Sequence, residues 1–232
     1  MKKIVLTILL FAQFTVYGQE TKMKNDWANF KKYAADNERL KCSTKNEKRV
    51  IFMGNSITEL WKLTDSSFFA GKPYIDRGIS GQTTPQMLLR FRKDVVELNP
   101  KVVVILAGIN DIAENTGPIS LENVFGNIVS MVELAKANKI NVVICSVLPA
   151  YDFSWHPGLE PAEKVVKLNS MLESYAIKNK IVYCDYYSAM VDERKGLDKK
   201  YTNDEVHPTL AGYRVMEPIV EKAIKEAFET TQ

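Results

Sequence analysis

The run Lys101-Val102-Val103-Val104-Ile105-Leu106-Ala107-Gly108 constrains the fold more than any other stretch. It is apolar almost throughout, the signature of a strand buried on both faces, as in a parallel sheet. Comparable runs lie at 49–54, 141–147 and 181–186, with a shorter one at 74–79. Between them the spacing is helical. Thr84-Pro85 opens a helix bearing Leu88, Phe91, Val95 and Leu98 on one face, and Ser120 opens one bearing Val124, Ile128, Val132 and Ala135. Val165, Leu168, Leu172 and Tyr175 mark another over 161–178. Thr209 caps a last helix, with Leu210, Tyr213, Met216, Val220, Ile224 and Phe228 on its apolar face, where Pro218 predicts a kink. Near the start, Asp26 before Trp27, Phe30, Tyr33 and Ala34 predicts a capped helix that fades into a polar loop over 36–48. Strands alternating with helices from residue 49 onward predict a single α/β domain of three layers, α/β/α, around a five-stranded parallel sheet.

With 232 residues, 46% apolar and 25% charged, the chain is long enough for one sizeable core. The net charge of +3 comes from scattered lysines and gives no footprint for nucleic acid. Lys2 and Lys3 precede an apolar run from Ile4 to Val16, and Gly18 offers a small residue for cleavage. This predicts a signal peptide over 1–18, a mature domain over 19–232, and export to the periplasm or beyond. The run is short for a membrane span, and no later stretch is long enough, so stable membrane insertion is not expected. The three cysteines, Cys42, Cys145 and Cys184, cannot all pair, and the last two lie in apolar strands where a buried thiol acts as a small hydrophobe. A bridge between those two stays open. No spacing suggests a metal, and no cofactor is required.

Four features fall at or after the carboxyl ends of strands. Ser56 follows the first, Gly81 the second and Asn110 the third, while His207, with Asp204 three residues before it, follows the last. In a parallel sheet these ends share one edge and can converge. Acyl transfer by a serine needs such a set: a base near the hydroxyl, a third group orienting the base, and donors for the oxyanion. Each residue also has a plain alternative. Ser56 can cap a helix, Gly81 and Asn110 can serve turns, and Asp204 and His207 can be a surface pair. Asp185 and Asp192 compete for the orienting role but lack the close spacing to His207.

Taken together, the blocks resemble those of the SGNH hydrolases, the GDSL-type esterases and lipases. Gly54-Asn55-Ser56-Ile57-Thr58, Arg77-Gly78-Ile79-Ser80-Gly81-Gln82-Thr83-Thr84, Gly108-Ile109-Asn110-Asp111 and Asp204-Glu205-Val206-His207-Pro208 carry the resemblance, in family order. It implies a flavodoxin-like fold, Ser56 as nucleophile, Gly81 and Asn110 in the oxyanion hole, His207 as base and Asp204 orienting it. Asn55 stands where the family name specifies aspartate. It keeps the size and acceptor oxygen, loses the charge, and is expected to hold loop backbone.

The function expected from this set is hydrolysis of short acyl esters, most of all acetyl esters of carbohydrate, through an acyl-serine. Lysophospholipid or thioester hydrolysis, glycan O-acyl transfer and non-catalytic glycan binding are the alternatives. Asn55, Trp61, Tyr151 and Trp155 are the expected substrate contacts, although aromatics fill cores as readily as they stack on ligands. His156 is expected at the pocket rim. The oligomeric state stays open.

Overall fold

Five short strands carry the sheet. β1 (Val50–Gly54), β2 (Tyr74–Gly78), β3 (Val102–Leu106), β4 (Asn141–Cys145) and β5 (Val182–Cys184) run parallel in the order β2-β1-β3-β4-β5. The computed structural model describes residues 26–42 and 48–230, so the expected signal peptide lies outside the described residues. Every residue of β1 and β3 is buried, as strands covered on both faces must be. In register, Gly54 stands level with Gly78 on one side and Leu106 on the other. The loops after these three strands therefore leave the sheet at one height.

The helices are α1 (Ala34–Lys41), α2 (Ser56–Thr64), α3 (Ser66–Phe69), α4 (Thr84–Asp94), α5 (Ile109–Ile112), α6 (Leu121–Ala137), α7 (Pro161–Lys178), α8 (Tyr187–Met190) and α9 (Leu210–Glu229). α2 packs on β1 and β2, α9 packs on β3 to β5, and Trp61 of α2 stacks on Tyr213 of α9, which puts both helices on one face. α4, α6 and α7 form the other layer. Right-handed crossovers explain the split. The β1–α2–β2 unit steps one way along the sheet and the later units step the other way, so α2 lands opposite α4. The reversal opens a crevice at the ends of β1 and β3, where open α/β sheets bind ligands.

Two expectations need correction. Trp61 is not a substrate contact. It is 1% exposed, sandwiched between Phe68 at 4.9 Å and Tyr213 at 5.3 Å, and holds the two front helices together. The N-terminal segment is also different. Residues 27–33 form successive turns, and the helix starts only at Ala34. Asp26 does accept the N–H groups of Phe30 and Lys31, at 2.6 and 3.0 Å. However, Asn29 takes a left-handed φ of 55°, and the side-chain amides of Gln86 and Gln82 engage the carbonyls of Trp27 and Ala28. Those tertiary bonds compete with the intrahelical ones that the local pattern favours.

α4 begins at Thr84, one residue after its cap Thr83, and α9 continues unbroken through Pro218. Cys145 and Cys184 are register partners on β4 and β5, both buried and both free. Burial pushes the Cys145 thiol up, away from the reactive thiolate.

Candidate active site

β1 ends at Gly54, and Asn55 starts α2 by accepting the Ile57 N–H on its side-chain oxygen at 3.0 Å. Ser56 is thereby the first residue of α2. Its N–H belongs to the set that a helix leaves without an intrahelical acceptor, at the positive end of the dipole. Asn55 itself is 1% exposed, so the expected substrate contact is corrected to a structural cap. Asparagine caps as well as aspartate, so this departure from the family pattern removes a charge and keeps the turn.

The Ser56 hydroxyl lies 2.8 Å from His207 Nε2, and His207 Nδ1 lies 2.7 Å from Asp204 Oδ2. Asp204 builds its own turn. Its Oδ1 accepts the N–H of Val206 at 3.0 Å and of His207 at 2.7 Å, while Glu205 between them takes a left-handed φ of 67°. This tight reversal is what brings a carboxylate and an imidazole three residues apart face to face. Burial pushes the Asp204 carboxyl up, but the bonds from the His207 backbone and ring and from Val206 outweigh it, and the group sits below its usual range. An ionised Oδ2 can only accept, so the ring proton belongs on Nδ1 and Nε2 faces Ser56 as an acceptor.

On the far side of the crevice stand Gly81 and Asn110. Gly81 has a φ of 78°, and a Cβ there would meet nothing within 4 Å, so glycine answers a backbone requirement and not a lack of space. Asn110 is buried in the first turn of α5 and gives one N–H of Nδ2 to the Gln82 carbonyl at 3.0 Å. The second N–H on that nitrogen remains to donate.

Gln82 is in turn clamped by Arg90, which sequence reasoning missed. The Arg90 side chain is fully buried. It gives Nε to Gln82 Oε1 at 2.6 Å, Nη1 to Asp94 at 2.8 Å and Nη2 to the Gly54 carbonyl at 2.9 Å. One guanidinium thus ties the loop carrying Ser56 to the loop carrying Gly81, and through Gln82 to Asn110. The available signal was an Arg-x-x-x-Asp spacing in α4, which reads equally as a surface ion pair.

Asp111, next to Asn110, secures the other end of that loop. Its carboxylate accepts the Thr84 N–H at 3.0 Å and the Thr84 hydroxyl at 2.6 Å, at the start of α4. Burial raises its pKa to about 6. A carboxyl raised above its unfolded value favours the folded state fully below the unfolded pKa and loses that contribution as pH rises through about 6. Stability should therefore increase as pH falls from about 6 to about 4, with Asp111 contributing on the order of 3 kcal/mol at most over that whole window. Thermal melts of Asp111→Asn should show a flatter slope over that window. An unchanged slope would remove Asp111 as its source.

The loop after β4 is tied to the turn that holds His207 and to the end of α5. Phe153 is fully buried and anchors it, while Tyr151 and Trp155 are about half exposed. Arg194 lies 4.8 Å over the Tyr151 ring and also pairs with Glu205, linking this loop to the turn that holds His207. His156 Nδ1 lies 3.0 Å from the Ala113 carbonyl at the end of α5, a link between the two loops. Asp185 and Asp192 bond elsewhere, to Ser188 and to Arg194 and Gly196. Among the described residues, no group of three or more His, Cys, Asp or Glu is arranged to hold a metal ion.

A hydroxyl, an imidazole and a carboxylate in line, facing polar donors across a switch-point crevice, form an arrangement able to carry out acyl transfer. The chain belongs to the GDSL-like lipase/acylhydrolase family, whose model matches residues 52–215, and this puts it among the esterases and acylhydrolases. A proposed acylhydrolase of known structure from Bacteroides fragilis is 53% identical, aligned over 88% of this chain and 99% of that one with a TM-score of 0.85. An acetylxylan esterase from Geobacillus stearothermophilus, solved as a catalytic mutant, is 18% identical over 77% of this chain and 94% of that one, with a TM-score of 0.63, and so shares the fold. An uncharacterized lipoprotein of Bacillus subtilis, YqeF, is 26% identical over 132 residues; the match covers 56% of this chain but only 45% of that relative's length. Among the described residues, no helix is long and apolar enough to cross a membrane.

Proposed function

We propose that this protein is an exported serine esterase that removes short acyl groups, acetyl foremost, from carbohydrate hydroxyls. The observation that carries the serine chemistry is the unbroken line from Ser56 Oγ through His207 to Asp204, at 2.8 and 2.7 Å. Ser56 Oγ attacks the acyl carbon and its proton passes to His207 Nε2. Asp204 stabilises the resulting imidazolium. The oxyanion takes hydrogen bonds from the N–H groups of Ser56 and Gly81 and from Asn110 Nδ2. His207 then gives its proton to the departing sugar oxygen, leaving an acyl-serine. Water attacks that ester with His207 as base, and the carboxylic acid departs. Every group in this cycle comes from the protein, the substrate and water.

Half-exposed Trp155 on the loop after β4 supports a sugar substrate, because an open aromatic face suits the apolar face of a pyranose ring. The fold shared with an acetylxylan esterase is consistent with it. The charged and apolar pattern of residues 1–18 supports export. The test is a panel of p-nitrophenyl esters of rising chain length, lysophospholipids and O-acetylated xylo-oligosaccharides. The highest kcat/KM is expected on the acetyl compounds. A steady rise with acyl length, or a preference for lysophospholipid, would replace this reading. Asn110→Ala should lower kcat by about 10²–10³-fold, the usual cost of one oxyanion donor. A change confined to KM would reduce Asn110 to a binding role.

A further inference from the structure

We infer that the cleft between the N-terminal turns and the loop after α5 is a glycan subsite continuous with the ester position, with Trp27 as its stacking surface. The inference rests on the carbohydrate-ester function proposed above and extends it to a specific wall of the site.

The cleft has a volume of about 710 Å³ and is lined by Trp27, Asn29, Gly81, Gln86, Asn115 and Thr116, among others. That is the size range of pockets that hold small organic ligands. Gly81 is part of its surface, so a ligand lying in it reaches the glycine assigned to the oxyanion hole.

Both walls are built and held. On one side, the turns of residues 26–31 are closed by the Asp26 carboxylate on two N–H groups. They are docked by Gln86 Nε2 on the Trp27 carbonyl at 2.8 Å and by Gln82 Nε2 on the Ala28 carbonyl at 2.7 Å. On the other side, the Asn115 N–H bonds the Asn110 carbonyl at 3.0 Å, and Thr116 Oγ1 lies 3.0 Å from Thr83 Oγ1. Trp27 is therefore fixed through its backbone while 51% of its surface is uncovered. An indole whose backbone is fixed and whose ring is half uncovered offers a face for stacking.

The chemistry of the lining selects the occupant. Besides the indole, asparagine, glutamine and threonine side chains line the cleft, together with Asp26, Lys31 and Ile79. An acyl chain would desolvate Lys31 and the amide hydrogens not already used to hold the walls, which is costly. A sugar ring matches both features, with C–H groups for the indole and hydroxyls for the amides. An acetyl group needs little of this volume, which leaves the cleft for neighbouring sugar units. Trp27 precedes residues 52–215, the segment the family model covers, whereas Gly81, Gln86, Asn115 and Thr116 of the opposite lining lie within it.

The test has two readouts. First, the ratio of kcat/KM on O-acetylated xylo-oligosaccharides to kcat/KM on p-nitrophenyl acetate should fall about tenfold in Trp27→Ala, through KM, as for the loss of one aromatic anchor. Trp27→Phe should recover much of it. Second, the chain has three tryptophans, so the indole N–H signals of ¹⁵N-labelled Ser56→Ala protein are few and assignable by substitution. Titration with the same oligosaccharides should move the Trp27 signal and leave buried Trp61 in place. Movement of Trp155 alone, or an unchanged substrate ratio in Trp27→Ala while the wild type turns over the oligosaccharides, would overturn the subsite and leave the esterase reading standing. Failure of the wild type to hydrolyse any acetylated oligosaccharide would overturn both.

Discussion

Ser56→Ala should lower kcat for p-nitrophenyl acetate by about 10⁵–10⁶-fold, the scale seen when a serine nucleophile is removed from a working triad. The fold should survive. The Ser56 side chain makes a single hydrogen bond, to His207, and the start of α2 is held by Asn55 and not by the serine. The loss of one such bond costs about 1 kcal/mol, so Tm should move by only a few degrees. Single-turnover kinetics beside a thermal melt would check both halves. Turnover within tenfold of the wild type would reject Ser56 as nucleophile, and a collapse of Tm would mean that the hydroxyl is structural.

Asp204→Asn is the second large effect, expected at about 10⁴-fold in kcat with KM little changed. The reason lies in the turn. Oδ1 already accepts the backbone N–H groups of Val206 and His207, so an amide at this position must keep its oxygen there. Its nitrogen then faces His207 Nδ1 and donates to it. The imidazole is driven to the other tautomer, with its proton on Nε2, where it no longer accepts from Ser56. The backbone bonds of the turn survive, so the protein should stay folded. A loss below tenfold would assign the orienting role to another carboxylate, although Asp185 and Asp192 are engaged elsewhere. Because its hydrogen bonds hold Asp204 below the usual carboxylate range, it stays ionised well into acid. An acidic loss of activity should therefore not come from protonation of Asp204.

Sequence and structure agree most closely where the signal is local and repetitive. The apolar runs of β1, β3 and β4 are buried on both faces as their composition requires, and the strand ends carry the residues expected there. Disagreement is concentrated where a side chain answers to a distant partner. Trp61 had to be either core or contact, and only the packing of α9 against α2 makes it core. Asn55 carries the same ambiguity, resolved by the Ile57 N–H. Arg90 and Asp94 read as solvated charges, because such residues are rarely fully buried without partners. Their partners, Gln82, the Gly54 carbonyl and Asn37, come from other parts of the chain.

By itself, then, the sequence determined the layer architecture, the parallel sheet and the short set of residues able to do chemistry. Periodicity and strand-end position are local properties, and a resemblance in four ordered blocks adds family. The tertiary structure decided which polar groups meet: the 2.8 Å approach of a serine and a histidine 151 positions apart, the buried guanidinium that joins three loops, and the turn-built wall bearing Trp27. Each of these depends on the relative placement of elements, which the right-handed crossovers and the side chains filling the space between layers set only once the whole chain is packed.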